Sequence, residues 1–213
     1  MIRKILLGCG IASSVLYVVS DAIGTLRYPG YRYTEQQFSE LTAVGSPVRP
    51  LMIALIEFPY NLLLAAFAVG LWTSATPKRA ARITGALLIA YAATGMVTGV
   101  FFPMDRREVL ATGERTLHNA IHGPGTAVSS LLFVLAVGFG ATLQGRRFRY
   151  YSYATIAIVA AFGVLTSLQI GKMEANQPTP WMGIYERISI YAIMLWVAVL
   201  AIGLLRAPKS EGQ

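Results

Sequence analysis

The chain reads as an all-α polytopic membrane protein, a bundle of six transmembrane helices forming one domain over residues 1–213. Three observations lead there. Of the 213 residues, 55% are hydrophobic and only 13% charged, where a soluble domain carries roughly a quarter charged residues. Mean hydropathy is +0.55. The apolar residues gather in six stretches of about 20, long enough to cross ~30 Å of hydrocarbon as helices. Lipid-exposed backbone must satisfy its own hydrogen bonds, and the alternating pattern of a β-barrel is missing. These features exclude an ordinary soluble enzyme, a disulfide-stapled secreted domain and a disordered chain. The single cysteine, Cys9, leaves no internal disulfide and no multi-cysteine metal site.

Hydropathy and the charges between the stretches place the spans at about 4–26, 51–72, 81–103, 117–140, 152–171 and 185–205. The first follows Arg3 and Lys4 and ends near Ser20-Asp21-Ala22, a pattern shared with cleaved signal peptides. Apolar character resumes at Ile23 and Leu26, so a retained span is expected. Loop 27–50 is the longest connection. Its YPGYRY run (Tyr28 to Tyr33) suits an interfacial anchor. SELTAVGSP (Ser39 to Pro47) predicts one helical turn, with Ser39 as N-cap, Gly45 as left-handed stop and Pro47 barring continuation. The third span carries a G-x-x-x-G at Gly95 and Gly99, which predicts close helix packing. The fourth contains Pro124 between Gly123 and Gly125, where a kink is expected.

The net charge of +8 raises the question of nucleic acid, but no aromatic-interleaved basic platform accompanies it; no nucleic-acid partner is expected. With the N-terminus inside, ten basic residues fall on the inner side and eight on the outer. The inner ones concentrate in short connections, TPKRAAR (Thr76 to Arg82) and QGRRFRY (Gln144 to Tyr150). The positive-inside rule then predicts a multi-pass cell-membrane protein with both termini cytoplasmic. Its partners are the bilayer and anionic lipid headgroups at the cytoplasmic face. The oligomeric state is left open.

Ionisable groups inside spans mark functional positions. Alternating topology brings Asp21, Glu57, Asn61, Asp105, His118, His122 and Arg187, with Ser39 and Glu40 of the long loop, to the outer side. Asp21 continues an i, i+4 face with Ser13 and Tyr17, as do Glu57 with Asn61 and His118 with His122. Four readings stay open: structural pairing; a divalent metal such as zinc held by His118, His122 and Asp105, with Asp21 or Glu57 as other completing carboxylates; a proton-coupled transporter using Glu57, Asp21 and a histidine; and a metal-assisted hydrolase or transferase acting on a membrane lipid. In the last, His118 or His122 is the base and Ser39 or Ser46 the nucleophile. The expected function is an outward-facing polar pocket for a small ligand, an ion or a lipid headgroup.

The S-E-L-x-A-x-G-S-P run at Ser39 to Pro47, the F-P-x-D at Phe102 to Asp105, His118 and His122, and six spans of this size resemble the prokaryotic membrane family known as domain of unknown function 998. The resemblance covers nearly the whole chain and implies a six-span bundle; the family carries no mechanism to transfer. Ceramidase-type membrane hydrolases use three zinc-binding histidines, and this chain has two.

Overall fold

The computed structural model describes residues 1–73 and 79–207, and among these every regular element is helical. Six helices are long and apolar enough to cross a membrane: α1 (Ile2–Arg27), α2 (Arg49–Trp72), α3 (Arg79–Phe101), α4 (Leu117–Gly140), α5 (Arg146–Ser167) and α6 (Met182–Arg206). The chain is therefore a multi-pass, all-α membrane protein. Of the inner-side charges, Lys78, Lys209 and Glu211 lie outside the described residues.

Each helix packs on its neighbour in sequence, and α6 returns to α1, closing a ring in which the α4–α5 seam is the thinnest. Small residues permit the close approaches. A side chain on Gly140 would meet the Trp196 ring at 2.8 Å, and one on Gly85 the Ala68 carbonyl at 2.8 Å. Around Trp196, which is fully buried, stand Phe133 and Phe148 with ring centroids at 5.7 and 5.9 Å. Its indole N–H donates to Ser152 Oγ at 2.9 Å, satisfying the one polar atom of an otherwise apolar ring.

Two elements depart from the sequence expectation. Helix α5 begins at Arg146, six residues before the expected 152. RRFRY is a competent helix former that a hydropathy window discards for its charge. Helix α2 contains a π turn over Ile53–Glu57, with Phe58 N–H reaching Ile53 O at 3.4 Å. Pro59 lacks the N–H that would continue the α ladder, so the helix widens by one residue before it. Helix α4 runs unbroken through Pro124.

The α1–α2, α3–α4 and α5–α6 connections close one end of the ring, here the capped end; the start of α1 and the α4–α5 turn form the other, the terminal end. Ala43, Met104, Leu110, Met173 and Met182, drawn from all three capping connections and the start of α6, make a second small core beneath the cap. In the longest connection, Gly45 is left-handed at φ +78° as expected. The turn itself is a 3₁₀ helix over Phe38–Leu41, and its cap is Gln37, not Ser39. Glu40 reaches back to Gln37 N–H at 2.9 Å, a capping-box bond that Ser39 has no partner to reproduce.

Candidate functional site

One buried ion pair holds the cap to the bundle, and a second ties the connections of the cap to one another. Asp21, near the end of α1, and Arg187, in α6, are separated by 166 residues; their side chains are 0% and 2% exposed. The guanidinium bonds both carboxylate oxygens, at 2.8 and 2.9 Å. It also donates to the carbonyls of Tyr33, Gln36 and Gly183 and to Tyr31 Oη, and stacks 3.9 Å from the centroid of the Tyr33 ring. Tyr191 Oη donates to Asp21 as well. Burial pushes the Tyr31 phenol well above its ordinary pKa, against the pull of Arg187. Beside this pair, Glu186 Oε2 accepts the Phe38 N–H.

The second pair joins Glu40 to Arg107, 5% and 6% exposed. Arg107 Nε and Nη2 reach the Glu40 carboxylate at 2.8 and 2.6 Å, and Nη1 reaches Thr179 Oγ1 at 2.8 Å. Glu35 O accepts from both Arg107 and Thr179. One buried guanidinium thus binds three connections together. Sequence reasoning missed Arg107, because it lies among exposed charges: its neighbour Arg106 pairs with exposed Glu108.

Asp105 ends as a helix cap. Its oxygens accept from Thr116 N–H at 2.9 Å and Thr116 Oγ1 at 2.9 and 3.0 Å, while Thr116 Oγ1 accepts the Asn119 N–H. These bonds satisfy donors at the start of α4. His118 Nδ1 donates to Phe101 O and His122 Nδ1 to Phe102 O, both at 2.8 Å; a carbonyl only accepts, so each Nδ1 carries the proton. Each ring keeps Nε2, a usual ligand atom. The expected His118–His122–Asp105 metal set nevertheless does not assemble: among the described residues no group of three or more His, Cys, Asp or Glu stands close enough to hold an ion. The physical reason is that Asp105 is committed to Thr116. Ser39 is half-buried and offers its backbone carbonyl to Thr42.

Glu57 and Asn61 are different. They occupy successive turns of α2 on either side of the π-turn exit, and face Gly99 and Gly95 of α3. Each glycine of the G-x-x-x-G therefore leaves room for a polar side chain of the next helix: a Cβ on Gly99 would collide with the Glu57 carboxylate, and one on Gly95 would stand 3.4 Å from Asn61 Oδ1. Asn61 Nδ2 donates to Glu57 O at 2.9 Å, which turns Oδ1 toward α3. Glu57 is 6% exposed, and among the described residues its carboxylate accepts no hydrogen bond. Arg49 lies within Coulombic range toward the capped end, but its guanidinium is spent on the carbonyls of Thr42, Gly99 and Val100. Tyr60 Oη is enclosed beside the phenol of Tyr91, and the Tyr60 ring packs edge-on against Tyr17 at 5.0 Å. Tyr17 in turn lies within Coulombic range of Tyr91, Glu186 and Asp21, so these polar groups share one half of the bundle.

Of the residues singled out in sequence, Asp21 with Arg187 and Glu40 with its unforeseen partner Arg107 are structural clamps. Asp105, His118 and His122 tie the start of α4 to the end of α3 and the residues after it, while the Glu57 carboxylate and Asn61 Oδ1 accept no hydrogen bond among the described residues. A family model described as "Protein of unknown function (DUF998)" matches residues 11–203. Comparison with curated proteins and with solved structures finds no match.

Proposed function

The chain belongs to the DUF998 family, whose description assigns no activity, and from that premise we propose that it binds a small cation, the proton included, at Glu57. One observation carries this reading: Glu57 is a buried carboxylate within a span, and among the described residues no hydrogen bond satisfies it. An ionised carboxylate without a partner is too costly in a low-dielectric interior, so the group holds a proton or takes a cation. Asn61 Oδ1 adds a second hard oxygen ligand of the kind that suits sodium or potassium better than zinc. A proton-coupled transporter is the second reading, favoured by the position of Glu57 between Arg49, at the capped end of α2, and Asn61.

The test is infrared spectroscopy of the full chain in detergent at neutral pH, with and without sodium or potassium. We expect a protonated-carboxyl band, or a carboxylate band shifted by one of the cations, that vanishes in Glu57→Gln. A spectrum indifferent to that substitution and to both cations refutes the site. Flux in proteoliposomes under a pH gradient, abolished by Glu57→Gln, distinguishes transport from binding alone.

From the distribution of Lys and Arg we further propose that the capped end lies outside and both termini in the cytoplasm of a cell membrane. Arg3, Lys4, Arg146, Arg147 and Arg149 then meet anionic headgroups at the terminal end. A cysteine introduced near Arg146 that reacts with an impermeant reagent from outside the cell overturns this orientation.

A further inference from the structure

We infer that Tyr17, Tyr60 and Tyr91 relay a proton between Glu57 and a second carboxylate within the spans, Glu186, which exchanges it with the capped side. The inference deepens the reading of Glu57 given above and rests on it. Glu186 repeats the surroundings of Glu57. It lies within α6, and among the described residues its carboxylate accepts one hydrogen bond, from Phe38 N–H. Arg187 is within Coulombic range, but the bonds of its guanidinium go to Asp21, Tyr31 Oη and three backbone carbonyls. Asp21 and Glu40 are the acids within range, and both are held in ion pairs. Glu186 is therefore the acid of this cluster left to take up and release a proton.

The phenols come from three neighbouring helices, Tyr17 from α1, Tyr60 from α2 and Tyr91 from α3. Glu57 lies within Coulombic range of the Tyr60 and Tyr91 phenols, which stand beside each other. Tyr17 is within range of both phenols and of Glu186. Its ring packs 4.8 Å from that of Phe38, the residue whose N–H Glu186 accepts. Tyr17 is thus the phenol shared by either path, through Tyr60 or through Tyr91. Glu57 stands eight residues along α2 from Arg49 and Glu186 four along α6 from Met182, about 12 and 6 Å from the capped end. Arg49, on the direct way out, has no acceptor and keeps its proton, so it cannot pass one on. A hydroxyl both donates and accepts. In the transfer, Glu57 gives its carboxyl proton to a phenol oxygen, and that phenol gives its own proton onward. Tyr17 then gives its proton to the Glu186 carboxylate. Glu57 ends ionised and Glu186 protonated, while each phenol keeps one proton and resets by turning its O–H. Where two oxygens stand further apart than a hydrogen bond, a bridging water carries the same transfer.

The experiment is time-resolved infrared spectroscopy of the full chain in detergent after a pH step. It reads the amplitude and the rate of the carboxyl bands that Glu57→Gln and Glu186→Gln assign. We expect both bands to respond. Tyr17→Phe should slow the Glu57 response roughly 100-fold, the size of effect a positioned proton-transfer group supplies, and leave its amplitude unchanged. Glu186→Gln, which keeps an oxygen for the Phe38 N–H, should slow it likewise. Tyr153→Phe, which removes an exposed phenol of α5, should change neither rate nor amplitude. The double variant Tyr60→Phe/Tyr91→Phe should match Tyr17→Phe, and it keeps the test decisive if Tyr17→Phe fails to fold. An unchanged rate in Tyr17→Phe or in Glu186→Gln overturns the relay and leaves the Glu57 site standing. So does equal slowing by Tyr153→Phe, or a Glu57 band that answers sodium or potassium but not pH. Absence of any Glu57 band overturns both.

Discussion

Replacing Arg187 with methionine should be among the most damaging single changes in the protein. Methionine matches the length and apolar stem of the arginine but removes every donor. In the wild type that guanidinium makes two bonds to Asp21, three to backbone carbonyls and one to Tyr31 Oη. Asp21, 0% exposed, would retain Tyr191 Oη and a 3.5 Å contact from Thr25 Oγ1. Removing one partner of a buried ion pair costs about 3–5 kcal/mol, mostly because the remaining charge is uncompensated. That is a shift of roughly 150- to 5,000-fold in the unfolding equilibrium. The double variant Asp21→Leu/Arg187→Met removes both charges, and it should lose about 2 kcal/mol less than the sum of the single losses. Reversible unfolding in mixed micelles of rising dodecyl sulfate content measures all three variants. A single variant within about 1 kcal/mol of wild type, or a strictly additive double, would show that the pair does not clamp the cap.

Gly99→Val should destabilise by about 1–3 kcal/mol through overpacking, because its side chain occupies the space of the Glu57 carboxylate. Glu57→Ala in the same chain should recover part of that loss, whereas Gly8→Ala, with open space at its Cβ, should be neutral in the same unfolding assay. Arg107→Gln releases Glu40 and the Thr179 segment, so limited proteolysis should cut at 28–48 or 174–181 faster than in wild type; unchanged cleavage contradicts its clamping role. His118→Ala and His122→Ala should leave zinc content unchanged at less than one ion per chain, since two rings lack a third ligand; one stoichiometric zinc lost in either variant contradicts this.

Composition alone determined the class of this protein. Six apolar stretches separated by charge have one economical arrangement in lipid, because helices alone among short segments satisfy their backbone internally. The left-handed Gly45 was legible from local signals, as was the Glu57–Asn61 face, which needs only the helical period. Partner choice was not legible. Arg106 and Arg107 are neighbours in a connection with no periodicity, yet one is exposed and the other is 6% exposed against Glu40. His118, His122 and Asp105 look like ligands in one dimension, but the turn after α3 gives each a nearer carbonyl or hydroxyl. The G-x-x-x-G announced close packing without saying that a carboxylate and an amide fill the space. Those assignments depend on which helices become neighbours in the ring and on the height at which their side chains meet. Hydrogen bonds and ion pairs act over a few ångströms, so only the closed bundle decides which of several similar groups is satisfied and which is left to bind something else.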